Sequence, residues 1–234
     1  MIRGFGLVLL LAFGGAGLWA QSVSVPFVGC ESVGQTENSP APEGKSRSLP
    51  LSLNDARVLA YYASADGIGV LAPRGWHCEG VSGSGGYALY LSPKAIKKPF
   101  EGPVIEVDHT TNENGSGMTE IAGMIGRLFP AYREAAKREW KGILDTPFPA
   151  RPYPKDALVY KSKTVVEFRT PPLTKGLGTA PTWLRKNGSP VSGVVMLPGD
   201  PPEMVQLAIR LPPELAWLAS AIIREAERSQ TLLS

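Results

Sequence analysis

Metal ligands are the first thing this chain has little of. Its cysteines are Cys30 and Cys78 and its histidines are His77 and His109. None of the spacings that gather such residues around zinc is present, so no metal site is expected. A run of ~20 apolar residues, the length that crosses a bilayer, is also missing. The one long apolar stretch, residues 5–18, is shorter and interrupted by glycines. A dense basic face is absent too: the net charge is only +3, with Lys and Arg scattered along the chain. The nearest clusters are Lys94, Lys97 and Lys98, and the set Arg133, Lys137, Arg138 and Lys141. The second is interleaved with Glu134 and Glu139, the pattern of a solvated helix face, and no nucleic-acid partner is expected. The glycine run "GVSGSGG" (80–86) leads into a strand, whereas a phosphate cradle leads into a helix. It also lacks a G-x-S-x-G elbow, because serine stands where one of the glycines should be around both Ser82 and Ser84. No repeat of fixed period is visible, and no cofactor is expected.

What is there begins with a leader. Arg3, the apolar stretch and the small Ala20 before Gln21 have the anatomy of a secretory signal peptide. The alternative is a retained membrane anchor, which the short apolar core disfavours. This reading divides the chain into a signal peptide (1–20), an N-terminal disulfide-tethered segment with a connector (21–50) and an α+β domain (51–234). An exported chain meets an oxidising compartment, where two thiols tend to pair, and Cys30 with Cys78 is the one intramolecular pairing available. Closing a loop of roughly 50 residues removes denatured-state entropy worth roughly 3–4 kcal/mol. The competing reading makes Cys78 or Ser84 the nucleophile of a secreted hydrolase, with His109 as base and Asp108 beside it. His77 is a poor base for Cys78, because neighbours in an extended strand point to opposite faces.

Along the domain, Ser52 or Asn54 caps a short helical spacing through Ala56, Leu59, Ala60 and Tyr62, with a strand as the competing reading. Strands are expected at 87–92 and 103–109. Met118, Ile121, Ile125, Leu128, Tyr132, Ala136, Trp140 and Ile143 then form a helical stripe that Pro130 kinks or divides. "PFPARPYPKD" is an extended bridge. "ALVYKS", "KTVVEFRTPP" and "EMVQLAIRL" are strands, and Asn187-Gly188 is the favoured dipeptide of a two-residue hairpin. In the last strand Val205, Leu207, Ile209 and Leu211 face one way and Met204, Gln206, Ala208 and Arg210 the other, with Gln206 expected at solvent or a rim. Pro212-Pro213 opens a final amphipathic helix. The expected fold is α+β: an antiparallel sheet of about five to seven strands with amphipathic helices packed on one face.

The blocks "VPFVGCESVGQ", "LAPRGWHCEG" and "ALYLSP" resemble those of uncharacterised exported bacterial proteins carrying VPFVGC…GQ and APRGWHC blocks. The resemblance covers about the first hundred residues. It implies an exported protein with both cysteines inside its motifs and carries no activity. The functional expectation is therefore an exported non-catalytic binding protein, with a protein partner or a small envelope ligand. Arg74, Trp76 and His77, on the loop leading to Cys78, are its candidate binding residues, because Trp and Arg are frequent hot spots. The plainer reading of the same loop has Trp76 plugging the core edge and Arg74 pairing locally.

Overall fold

A computed structural model describes residues 22–112, 115, 117–149, 153–200 and 202–231. The expected leader and its processing point at Ala20 lie outside the described residues. Strands β1 (Val23–Cys30) and β3 (Ser46–Leu49) come from the segment read as tether and connector, with the two-residue strand β2 (Ser32–Val33) between them. Helix α1 (Leu53–Val58) starts where Ser52 Oγ accepts the Asp55 N–H at 3.0 Å. It lasts only six residues. From Leu59 the chain is extended as β4 (Leu59–Ser64), which pairs parallel to β1 and antiparallel to β5 (Gly69–Pro73). The helical spacing through Tyr62 thus yields to the strand, because two partners supply its backbone bonds at once. These four strands form a small sheet in the order β3-β1-β4-β5.

The second sheet has eight strands. β6 (His77–Gly83) turns tightly into β7 (Gly86–Ser92), with Gly83 paired to Gly86. Gly86 has φ 137°, and a Cβ there would fall 2.0 Å from the His109 carbonyl oxygen, so this turn requires glycine. β8 (Val104–Thr110) follows. After the helices come β9 (Ala157–Tyr160), β10 (Val165–Thr170), β11 (Val191–Met196) and β12 (Met204–Arg210). The strand order is β2-β6-β7-β8-β12-β11-β10-β9, antiparallel except for the parallel β2–β6 pair.

Two parts of the expected architecture need correction. There are two mixed sheets of four and eight strands, not one antiparallel sheet. The helices also cover both faces of the larger sheet. Leu89, Leu91, Ile105, Val107, Val205, Leu207 and Ile209 pack toward the small sheet and toward α4 (Ala219–Thr231). Tyr90, Val104, Val166, Val195, Met204 and Ala208 pack toward α2 (Met118–Leu128) on the opposite face. All seven residues of β12 are consequently buried, and Gln206, expected at solvent or a rim, is 2% exposed. The alternation along β12 was read correctly. Periodicity assigns side chains to two faces; it does not say that only one face will be covered.

Pro130 divides the long helical stripe as expected: α2 ends at Leu128, a 3-10 turn spans Pro130–Tyr132, and α3 runs Arg133–Ile143. The Asn187-Gly188 hairpin does not form. β10 pairs with β11 across the irregular excursion 171–190. Within it, Asn187 Oδ1 accepts the Ser189 N–H at 2.8 Å while its amide donates to the Glu101 carbonyl. This is a side-chain-closed turn. The excursion lies as a strap across the α2 face of the large sheet. Gln206 Nε2 donates to Leu177 O at 2.9 Å, Arg210 donates to Arg185 O, and Phe100 and Leu184 bridge backbone to backbone.

The Cys30–Cys78 disulfide is present, with Cα atoms 5.5 Å apart. It joins the end of β1 in the small sheet to β6 in the large one. The expected cross-link therefore ties two layers of the same core together.

Candidate functional site

The site grows from the alternation of β8. Ile105, Val107 and His109 point toward the small sheet, and Glu106 and Asp108 point toward the strap. Register places Glu106 beside Tyr90 of β7 and Ala208 of β12, and Asp108 beside Ala88 and Gln206. Helix α2 brings Glu120 to the rim, the strap brings Pro181 and Trp183, and the Gly83–Gly86 turn closes another side. The result is a groove of about 320 Å³ with an acidic floor. Trp183 is 52% exposed beside it. Lys98 stands nearby, its ammonium 4.3 Å from the centre of the Tyr90 ring and 3.9 Å from Glu79.

Glu106 is 1% exposed. Its carboxyl accepts the Trp183 backbone N–H, at 3.1 and 3.0 Å to the two oxygens. Burial holds its proton affinity far above the ordinary carboxyl range, and the neighbouring Asp108 charge and the hydrogen bond to Asp108 push the same way. Burial also raises Asp108, while the bond from Glu106 works against that rise. The two effects have one physical content. Desolvation and mutual repulsion make two adjacent carboxylates costly, so the pair retains a proton. Glu106, the more deeply buried of the two, is raised further. It links the strap backbone to half-buried Asp108 at the groove floor.

The structure separates the residues of the hydrolase reading. Cys78 is bonded to Cys30. Ser84 is exposed at the β6–β7 turn. Asp108 and His109 point to opposite faces of the sheet, and His109 Nε2 lies 2.6 Å from Glu203 Oε2. Among the described residues, no group of three or more His, Cys, Asp or Glu side chains is placed to hold a metal ion.

The loop carrying Arg74, Trp76 and His77 is firmly supported. Trp76 is 9% exposed and belongs to the inter-sheet core; its backbone N–H donates to Tyr62 Oη at 3.1 Å. The Arg74 guanidinium donates to the Leu59 and Ala56 carbonyls at 3.0 and 2.6 Å, satisfying backbone groups at the end of α1. Arg74 and His77 are exposed, whereas the Trp76 side chain is withdrawn into the core.

Sequence reasoning named Asp108, but only as a partner of His109, and it gave Glu106 no role. The available signal was a pair of acids at i and i+2 in a strand. That spacing puts both on one face, and a second covered face would bury them. Trp183 had no signal of its own, because a non-repetitive strap delivers it. Compared with known proteins, no family model matches the chain, and neither a curated protein nor a solved structure matches it.

Proposed function

We propose that the protein is an exported binding protein that takes a cationic ligand in the groove between the Glu106–Asp108 pair and Trp183. The observation that carries the reading is the proton-sharing acid pair on the floor of an open groove with an exposed indole at its side. Strongly perturbed carboxyls in a cleft mark functional sites more often than chance. An ammonium or guanidinium group gains from both walls: charge-assisted hydrogen bonds to the carboxyls and attraction to the face of the Trp183 ring. The disulfide suits an oxidising compartment, and no helix among the described residues is long and apolar enough to cross a membrane.

The reading has a specific signature. A bound cation stabilises the doubly ionised pair, so binding releases the shared proton. Calorimetric titration with argininamide, in buffers of different ionisation enthalpy at neutral pH, should show heats that vary with the buffer. Acetylated, uncharged alaninamide should not bind. Asp108→Asn should weaken argininamide at least about tenfold, the loss of one charge-assisted bond, without unfolding the protein. Equal binding of the neutral amide, or heats independent of buffer, would reject the proposal.

A further inference from the structure

The opposite face of β8 carries a second, separate feature. Between the two sheets, where the β4–β5 turn meets α4, lies a cavity of about 260 Å³. Val70, Val107, Val205, Leu207 and Met196 form most of its wall, and Ala226 of α4 forms another part. Two polar features interrupt this apolar lining. His109, paired to Glu203 at 2.6 Å, lines one side. Asp66 lines the cavity from the β4–β5 turn, and its Oδ2 is out of contact with solvent and has no hydrogen-bond partner.

The cavity is partly open to solvent at the β4–β5 turn, where Gly67 is exposed, and its deeper wall is buried and apolar. An apolar cavity of ~150 Å³ already takes a benzene ring, so this one has room for a ring and a short head group. A buried carboxyl oxygen without a donor is costly. A ligand that brings a donor relieves that cost, and a ligand that brings a second acceptor adds to it.

We infer that the inter-sheet cavity is a binding site for a small apolar molecule bearing one hydrogen-bond-donor head, an alcohol or an amine, with the head on Asp66 and the body against Val107, Val205 and Leu207. It differs from the acidic groove in its acids, Asp66 here and Glu106 and Asp108 there, while His109 lines both.

Binding is measured on the full chain carrying Asp108→Asn, which weakens the groove, and Asp66→Ala and Ala226→Leu in the same background assign the remaining binding to the cavity. Benzyl alcohol, benzylamine, toluene and benzoate are compared by calorimetry and by thermal shift. Benzyl alcohol should bind saturably, with a dissociation constant on the order of a millimolar for so few atoms, and toluene should bind at least about fivefold more weakly. Benzoate should show no binding. Benzylamine tighter than benzyl alcohol identifies the head as an amine, and the reverse order identifies it as an alcohol; either order supports the site. Asp66→Ala should abolish the preference over toluene while leaving toluene itself bound, an effect that general destabilisation would not produce. Ala226→Leu should fill the cavity and exclude all four probes. Should that variant fail to fold by circular dichroism, Val70→Ile makes the same test from the sheet side. The inference is overturned if benzoate binds as well as benzyl alcohol, if Asp66→Ala retains the preference, if a folded cavity-filled variant binds unchanged, or if no probe binds.

Discussion

The two faces of β8 make an instructive contrast. Toward the small sheet, Ile105 and Val107 pack among apolar side chains, where nothing but shape and burial is required of them. Toward the strap, Glu106 and Asp108 are buried or half-buried with their polar atoms committed to specific partners. One face is closed by regular elements, a second sheet and α4. The other is closed in part by the irregular strap 171–190, whose backbone has only the isolated Phe100–Leu184 bridge and a few turn bonds of its own. Glu106, Gln206 and Arg210 of the large sheet supply further bonds. A covered face can therefore be apolar where its cover is regular, and must be polar in places where its cover is loop.

The largest effect expected from breaking this contrast is on the apolar face. Leu207→Ala should lower stability by roughly 2–5 kcal/mol, since Leu207 is fully buried and its neighbours are held by two sheets. Denaturant midpoints measure it. Next comes the cross-link between layers: Cys30→Ser or Cys78→Ser should cost roughly 2–4 kcal/mol, and hydrogen exchange should accelerate more in the small sheet than in β8 and β12.

On the strap face, Gln206→Ala should cost about 1–3 kcal/mol, because it leaves the buried Leu177 carbonyl without its donor. A neutral result would mean that water or the strap itself replaces the bond.

The acid pair makes a prediction about pH. Its proton affinity is raised on folding, so above the ordinary carboxyl range, about pH 4, the folded state holds more protons than the unfolded one. Stability then falls as pH rises through and beyond that range. The midpoint of unfolding should be lower at about pH 8 than at about pH 5, provided other groups are matched by the comparison that follows. Glu106→Gln mimics the protonated acid: its amide oxygen accepts the Trp183 N–H and its amide nitrogen donates to Asp108. That variant should fold and show a flatter pH dependence than the parent. An unchanged slope would remove Glu106 as its source. The smallest stability effect is expected for Trp183→Ala, within about 0.5 kcal/mol for a half-exposed side chain, together with loss of argininamide binding.

Much of this fold was legible locally. The cysteine pair, the division at Pro130, strands β7, β8, β9, β10 and β12 and the alternation of β12 all follow from chemistry within a few residues. The errors share a cause. The α1 reading ran too long because β1 and β5 capture residues 59–64 as strand. The Asn187-Gly188 dipeptide was given a hairpin because a turn signal names a local bend and says nothing of the length of the excursion around it. Gln206 was sent to solvent or a rim because polarity usually marks an exposed face, and here it marks a buried face roofed by loop. The site shows the same division: Asp108 was visible as an acid at a strand end, whereas its partnership with Glu106 depends on burial.

The sequence by itself determined which side chains share a face, where helices must stop and which two sulfurs can bond. These are properties of backbone geometry and of residue chemistry at short range. Tertiary structure alone decided that both faces of the large sheet are covered, that an irregular strap sets Trp183 beside two acids, and that those acids retain a proton. Proton affinity depends on solvent exclusion and on charges brought together from distant segments, and neither exists until the layers have packed.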